Sequence, residues 1–498
     1  MKSKDAFIFK PLIEELMADT ETPVSVYLKL KSKYSCLLES VEGEERIARF
    51  SYIGINPFMK FEATISGAIS VKIFDERFDK IAEEIRGIQD VREALKVALD
   101  LVRNEMQISS KMLTSGAFGF FTYDAAHLTE RFKIPENPHP VELPDIALFF
   151  YDTLVVFDNV RRKLFIISNY LKGTGNDERE KRNAERKISE VKKLIYAPLS
   201  TKEIQLKSEK SELLTSNVTK KQYLDKVNIA KEYILAGDIF QVQLSQRLSR
   251  TLNARPFDVY RSLRTINPSP YLYFFEMGKV QIIGSSPELL VSVERDESGE
   301  RIVQTRPIAG TRKRGKTLEE DKALAEELLH DEKELAEHLM LIDLSRNDVG
   351  KISKTGSVDT NEIMIIERYS HVMHIVSNVK GILKEELHPL DAFWSCFPAG
   401  TLTGAPKIRS MEIISELEDE CRGLYGGAVG YFDFNGNLKT AIAIRTMLTK
   451  TGKIYFQAAG GIVADSVPIN EFEETLSKMK AGIRSVENLI PENQKHEK

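Results

Sequence analysis

The chain has little cysteine: three residues in 498, Cys36, Cys396 and Cys421, far apart and odd in number. They form no CxxC pair and no disulfide framework, so a reducing cytoplasm is the expected compartment. No run of about 18 apolar residues occurs, so no spanning helix is expected. The N-terminal MKSKDAFIFKPLIEEL interleaves charges with apolar residues, unlike a signal peptide. Net charge is only -4, and no basic stripe is present, which argues against a nucleic-acid surface. A P-loop, a GxSxG elbow, an HExxH helix and Cys/His metal spacings are all missing. Histidine is scarce at 8 residues, and Trp394 is the single tryptophan, a packing residue by expectation. There is no internal repeat and no low-complexity segment.

What is there reads as a large α+β body, intertwined and two-lobed, with mixed or antiparallel sheets flanked by helices. Val24–Leu30 alternates with period two like a half-buried strand. Phe118–Tyr123 and Ile146–Phe157 are aromatic and β-branched runs bounded by turn residues. Asp177–Ile195 is a charged helix with Ile188, Val191 and Leu194 on one stripe. Residues 197–216 carry little periodicity and divide an N-terminal region, 1–196, from a second domain, 217–490, and a tail, 491–498. Thr219 and Gln222 spell a capping box for a helix that runs through Leu235 and stops at Gly237. Thr317 and Glu320 spell another, opening one long helix toward Leu344. Pro468 and Asn470, with Glu473 at the third helical position, start a C-terminal helix whose stripe is Phe472, Leu476, Met479 and Ile483.

Two pairs of acids share helix faces at i,i+3: Glu334 with Glu337, and Glu471 with Glu474. Four convergent carboxylates would suit magnesium, although acids in a first turn also simply complement the helix dipole. His371 and His374 lie in a β-rich segment where alternation puts them on opposite faces, so at most one enters any site. Glycine-rich turns at PAGTLTGAPK, GGAVGYFDFNG and AAGGIVAD let backbone N–H groups approach an anion. With Arg312, Lys313, Arg314, Lys407 and Arg445 they suggest a small substrate bearing carboxylates. Taken singly, each reads better as an ordinary turn or surface cation.

In order, GDIFQVQLSQR, SPELLVSVE, RPIAGTRKRG, DEKELAEHLMLIDLSRNDVG, PAGTLTGAPK, GGAVGYFDFNG and AIRT resemble the chorismate-utilising enzymes. The likeness is dense from about residue 219 to 484 and looser at LLES, RFSYIG and GAFGFFTYD. It implies magnesium held by Glu337 and Glu474, with Glu334 and Glu471 nearby, and catalytic roles for His374, Glu288 and Thr401. It also implies substrate contacts at Gly310, Thr311, Tyr425, Arg445 and the Ala459-Gly460-Gly461 turn. Family members that make aminodeoxychorismate carry a lysine where this chain has Ala309, and the isochorismate and salicylate formers carry one at Gln241. A methyl group and a neutral amide can replace neither amine, so amination to anthranilate is the expected outcome.

The resemblance further implies a tryptophan feedback pocket at Ser40, Pro270, Tyr271 and Leu272. It departs from the common pattern in Ala459 and in Leu272, where methionine is usual. None of the three cysteines has the glycine-rich elbow of a glutaminase. A separate glutaminase subunit is therefore expected, in a heterotetramer of two large and two small chains. The nearest rivals are an aminodeoxychorismate-forming component and a non-catalytic sensor of chorismate or tryptophan.

Overall fold

A computed structural model of the chain describes residues 6–40, 49–105, 112–130, 137–139, 141–199, 213–369 and 372–489. His371, residues 200–212 of the expected linker and the expected tail lie outside them.

Period-two alternation along the strands sorts side chains between cores. Cys36, Tyr52, Leu154 and Val156 from a 13-stranded sheet meet Phe118, Phe120, Phe149 and Tyr151 from an 11-stranded one. Their sequence neighbours face outward. Leu37, Ile53 and Val155 pack under the helices Pro23–Leu30, Asp177–Ile195, Pro256–Ile266 and Pro468–Glu487. Ala117, Phe121, Leu148 and Phe150 pack under Asp79–Ile85, Val91–Asp100 and Pro389–Cys396. The layers run helix, sheet, sheet, helix, in keeping with the expected α+β class. Pairing is antiparallel throughout the named strands except where Phe7–Met17 lies parallel to Val102–Asn104.

In each sheet the strands that precede residues 197–216 form one block and those that follow form another, and the two blocks join at one strand pair. Tyr34–Glu39 pairs with Tyr271–Met277, bringing Glu39 opposite Leu272. Gly116–Phe121 pairs with Ala428–Asp433. Thr215–Ser216 is itself a short strand against Gln241–Thr251. Trp394 packs edge-on against Phe121 at 5.5 Å, as a core residue should.

Several local expectations are corrected. Val24–Leu30 belongs to a helix, Pro23–Leu30, not a strand. Thr22 and Ser25 form a reciprocal capping box and Pro23 occupies the first turn, so the cap overrides the alternation of VSVYLKL. Ile146–Phe157 divides at Asp152 into Ile146–Tyr151 of one sheet and Thr153–Asp158 of the other. There the buried Asp152 carboxylate receives Lys187 Nζ at 2.6 Å. The charged helix buries Ile188, Val191 and Ile195, while Leu194 is exposed. The C-terminal helix starts at Pro468 without a side-chain cap, so Glu473 sits beyond its first turn.

The long helix expected from Thr317 is two, Leu318–His330 and Glu332–Ile352. Asp331 breaks it, accepting the N–H groups of Lys333 and Glu334 while Arg312 Nη2 holds its carboxylate at 2.8 Å. The break places Glu334 and Glu337 in the opening turns of their own helix.

Candidate active site and regulatory cavity

A cavity of about 170 Å³ opens where the strands Gln241–Thr251 and Lys453–Ile462 meet the helices Glu332–Ile352 and Pro468–Glu487. Glu288, Thr401, Tyr425, Arg445, Ala459 and Glu337 all line it, so residues as far apart as 288 and 459 converge.

Glu288 is the most perturbed acid of this wall. It is 7% exposed, and burial pushes its carboxyl up to about 8, opposed by a hydrogen bond from Thr401 Oγ1 at 3.0 Å and by the charge of Lys478. It is therefore a neutral acid near pH 7, able to donate a proton. His374, on the strand Val372–Ile382, is not among the residues that line this cavity. Its Nδ1 is 2.8 Å from the Gly310 carbonyl and 3.1 Å from Thr311 Oγ1. An Nδ1–H donating to that carbonyl leaves Nε2 as the lone-pair nitrogen. Burial lowers the pKa, with Arg445 adding to the effect, which favours the neutral ring with a free lone pair. Gly310 has φ +65, and a Cβ there would meet Leu328 Cδ1 at 2.9 Å and Glu334 Oε2 at 3.3 Å, so the position demands glycine.

Ala459, Gly460 and Gly461 are not a turn. They continue the strand Lys453–Ile462, opposite Ser245, Leu244 and Gln243. The Thr446–Lys450 strand pairs with the other edge only as far as Phe456, so that edge is open beyond it. The Ala459 carbonyl on the open edge accepts from Lys478 Nζ at 2.9 Å, and its N–H faces the Tyr425 hydroxyl. A strand edge thus supplies the backbone groups expected of a glycine turn. Arg445, at φ +52, sits in the left-handed region. Its guanidinium is buried beside Tyr425 and donates to the Lys478 carbonyl.

The four acids stand as two pairs on two helices. Among the described residues, the side chains that bring three metal-capable atoms within 4.8 Å of one another are Asp124, His139 and Cys421, away from this cavity. Glu337 Oε1 instead accepts from Gln241 Nε2 at 3.1 Å, and Glu474 pairs with Lys478 at 2.6 Å. Burial and then repulsion by Glu337 raise the pKa of Glu334; for Glu471 burial leads and Glu474 adds to it. Glu471 Oε2 is buried with no hydrogen-bond partner. An orphaned carboxylate oxygen and two acids held against their neighbours' charge fit a hard divalent cation.

Of the other expected cations, Arg312 pairs with Glu327 and Asp331 and lies 3.6 Å from Glu334, while Arg314 is engaged with Asp321 and Lys407 with Asp348. Sequence reasoning missed Lys478, which lines the cavity and touches Glu474, Ala459 and, electrostatically, Glu288. The signal was available: residues 471, 474 and 478 share one helix face.

A second and larger cavity, about 770 Å³, gathers Ser40, Pro270, Tyr271 and Leu272, all four of the expected regulatory residues. The antiparallel pairing of Tyr34–Glu39 with Tyr271–Met277 makes LLES and NPSPY neighbours. Ser40 Oγ is buried without a partner, and Lys439 Nζ lies 3.4 Å from Glu294 in the same wall.

A family model described as chorismate binding enzyme matches residues 34–484. Anthranilate synthase component 1 of Acetivibrio thermocellus is 46% identical over 484 residues, covering 96% of this chain and 95% of that one. The protein of the same name from Aquifex aeolicus is 43% identical, covering 96% and 94%. The crystal structure of anthranilate synthase component I from Streptococcus pneumoniae superposes with a TM-score of 0.74 at 38% identity, over 94% of this chain and 99% of that one.

Proposed function

We propose that this chain, which belongs to the chorismate-binding enzyme family, is the component that converts chorismate and ammonia to anthranilate and pyruvate on the route to tryptophan. The observation that carries the reading is one small cavity whose wall brings together the buried acid Glu288, the buried Arg445, Tyr425 and Glu337 of the paired acids, with His374 in electrostatic reach of Arg445.

Arg445 and the Tyr425 hydroxyl hold the enolpyruvyl carboxylate of chorismate, and Ala459 and Gly461 offer edge N–H groups. Glu337 and Glu474, with Glu334 and Glu471 beside them, would hold magnesium, which supplies a charge clamp and template for the ring carboxylate. Ammonia attacks C2 as Glu288 protonates the departing C4 hydroxyl, which leaves as water. Thr401 holds Glu288 in place for this step. His374 Nε2 then takes the C2 proton, the C–O bond to the enolpyruvyl group breaks, and pyruvate leaves as the ring becomes aromatic. Gly310 fixes the tautomer and Thr311 the ring plane.

Two residues favour anthranilate among the family's products. Ala309 is buried and has no amine for a covalent adduct with the ring. Gln241 spends its amide on Glu337 and cannot activate water. All three cysteines are buried, and burial pushes Cys36 and Cys421 up to about 12 and Cys396 higher. None is a thiolate nucleophile near neutral pH, which supports ammonia supply by a separate glutaminase component, in an assembly of two large and two small chains. Free thiols also fit the reducing cytoplasm. Among the described residues no helix is long and apolar enough to cross a membrane. The larger cavity binds tryptophan as feedback inhibitor, with the Ser40 hydroxyl as one of its hydrogen-bonding groups.

The test is to incubate the purified chain with chorismate, magnesium and an ammonium salt at mildly alkaline pH, following anthranilate fluorescence with and without tryptophan. Magnesium-dependent anthranilate formation that tryptophan suppresses is the expected result. Aminodeoxychorismate or isochorismate as product overturns the reading of Ala309 or Gln241, and absent turnover favours a sensor.

A further inference from the structure

Away from the catalytic cavity, three distant chain segments bring a carboxylate, an imidazole and a thiol together. Asp124 belongs to the short helix Tyr123–Leu128, and Cys421 follows the helix Lys407–Leu417. His139 lies in the connection that leads to the strand Ile146–Tyr151. One ligating atom of each lies within 4.8 Å of the other two. Asp124 and Cys421 are buried, and His139 is exposed. The strand Gly116–Phe121 precedes Asp124 and pairs with Ala428–Asp433, which follows Cys421. That pair is where the two blocks of the 11-stranded sheet join. The three side chains therefore stand at the end of the seam, two from before residues 197–216 and one from after.

Local hydrogen bonds hold these groups in place. The Gly423 N–H donates to Asp124 Oδ2 at 2.8 Å, and the Tyr123 N–H donates to the Gly423 carbonyl at 2.7 Å. The Cys421 N–H donates to the Pro138 carbonyl at 3.1 Å, and its thiol faces the Asn137 carbonyl at 3.3 Å. The Asn137 amide donates in turn to the carbonyls of Ser415 and Glu418, at 3.2 and 2.7 Å. Residues 137–139 are thus fixed against the turn that carries Cys421. Among the described residues no ion pair neutralises the buried Asp124, and a buried carboxylate without a cation is costly. Tetrahedral zinc, with bonds of about 2.0–2.3 Å, spaces its ligand atoms about 3.3–3.8 Å apart. Shifts of about 1 Å close the set around such an ion, and the exposed His139 ring has room to turn.

We propose that Asp124, His139 and Cys421 form a structural zinc site that fastens the two blocks of the 11-stranded sheet at their seam. A thiolate and an imidazole favour zinc over magnesium or calcium, which take oxygen ligands. Three protein atoms leave the fourth tetrahedral position to water, and His139 lines a space of about 40 Å³ able to hold one. On binding, the Cys421 sulfur exchanges its proton for the metal, and the proton passes to solvent. The next residue shows what the fastening steadies. The buried Arg422 guanidinium binds Glu418, the Leu402 carbonyl and the Gln243 carbonyl. Leu402, Gln243 and Tyr425 all line the catalytic cavity. Residues 421–425 are thus pinned by the metal at one end and by Arg422 beside it, which fixes where Tyr425 enters that cavity.

The test uses the full chain, kept reduced by a phosphine and held in excess magnesium to occupy oxygen-only sites. Zinc is added, unbound metal is removed by gel filtration, and the metal per chain is measured by mass spectrometry. One zinc per chain is expected, with a higher Tm than the zinc-free protein. Cobalt(II) in its place should give an intense near-ultraviolet charge-transfer band from the thiolate, which carboxylate ligation at Glu337 and Glu474 cannot produce. In Cys421→Ser that band should vanish. In His139→Ala, a change at an exposed position that leaves the fold intact, zinc affinity should fall at least about 100-fold. No retained zinc, or cobalt bound without the band, overturns the site. A band that survives Cys421→Ser assigns the thiolate to another cysteine and overturns it as well, as does unchanged affinity in His139→Ala. Zinc bound with no gain in Tm overturns the fastening role.

Discussion

The two cavities differ in size and in how their polar groups are satisfied. The catalytic one, at about 170 Å³, is crowded with ionisable groups that lean on one another: Thr401 on Glu288, Gln241 on Glu337, Lys478 on Glu474. The larger one, at about 770 Å³, adds apolar and aromatic strand residues to charges already paired, Glu39 with Arg264, Arg49 with Asp158 and Glu294 with Lys439, and it holds an orphaned serine hydroxyl. Chemistry requires charges fixed before the substrate arrives, because reorganising them during the reaction adds to the barrier. Binding alone requires space and a few unsatisfied groups that the ligand completes. The same pair of sheets provides both, one at an open strand edge and one where strands from distant parts of the chain pair.

The largest effect that separates the cavities is expected from His374→Ala. Anthranilate formation should fall by roughly 100- to 10,000-fold, the range for losing a general base. Calorimetric binding of tryptophan should survive, and its loss would merge the two sites into one. Next is Lys478→Met, which leaves the Ala459 carbonyl and Glu474 without their cation. Losing a charge-assisted hydrogen bond is worth about 1.5–3 kcal/mol, so kcat/KM for chorismate should drop about 10- to 150-fold. Steady-state kinetics with ammonia checks this, and an unchanged value removes Lys478 from the site.

A smaller effect belongs to the other cavity. Ser40→Ala should weaken tryptophan about fivefold, the worth of one neutral hydrogen bond near 1 kcal/mol. The inhibition constant reads it, and no change would mean that the orphaned hydroxyl faces no ligand atom. A different kind of readout is a pH signature. Glu288 titrates at about 8 in the folded chain against an ordinary value of 4.5. Between those values the folded state binds the extra proton, so the stability from neutral Glu288 is lost as pH rises through the window. Glu288→Gln should therefore gain Tm relative to wild type from pH 5 toward 8, as thermal melts would show; a constant gap refutes the burial assigned to this acid.

Local chemistry made part of the site legible. The Thr219 box and the i,i+3 acids are decided within a few residues, and the structure has the cap and the spacing there. The failures were also local in form but not in cause. VSVYLKL alternates like a strand, yet a cap just upstream and burial of Val26, Tyr27 and Leu30 make it a helix. The glycine run reads as a turn, yet it is strand edge because Gln241–Thr251 pairs along its length. Lys478 went unnoticed because one lysine among many on a charged helix gives no hint of the carbonyl it reaches.

By itself the sequence determined the residue types available for chemistry, the helix starts set by side-chain caps, and the absence of amines at Ala309 and Gln241. These depend on covalent identity and on contacts within a turn or two. The tertiary structure alone decided which of those groups meet. It set Glu288 against Thr401, LLES beside NPSPY and Glu367 opposite His374. It also raised the Glu288 pKa, because desolvation depends on everything packed around a group and strand register on partners hundreds of residues away.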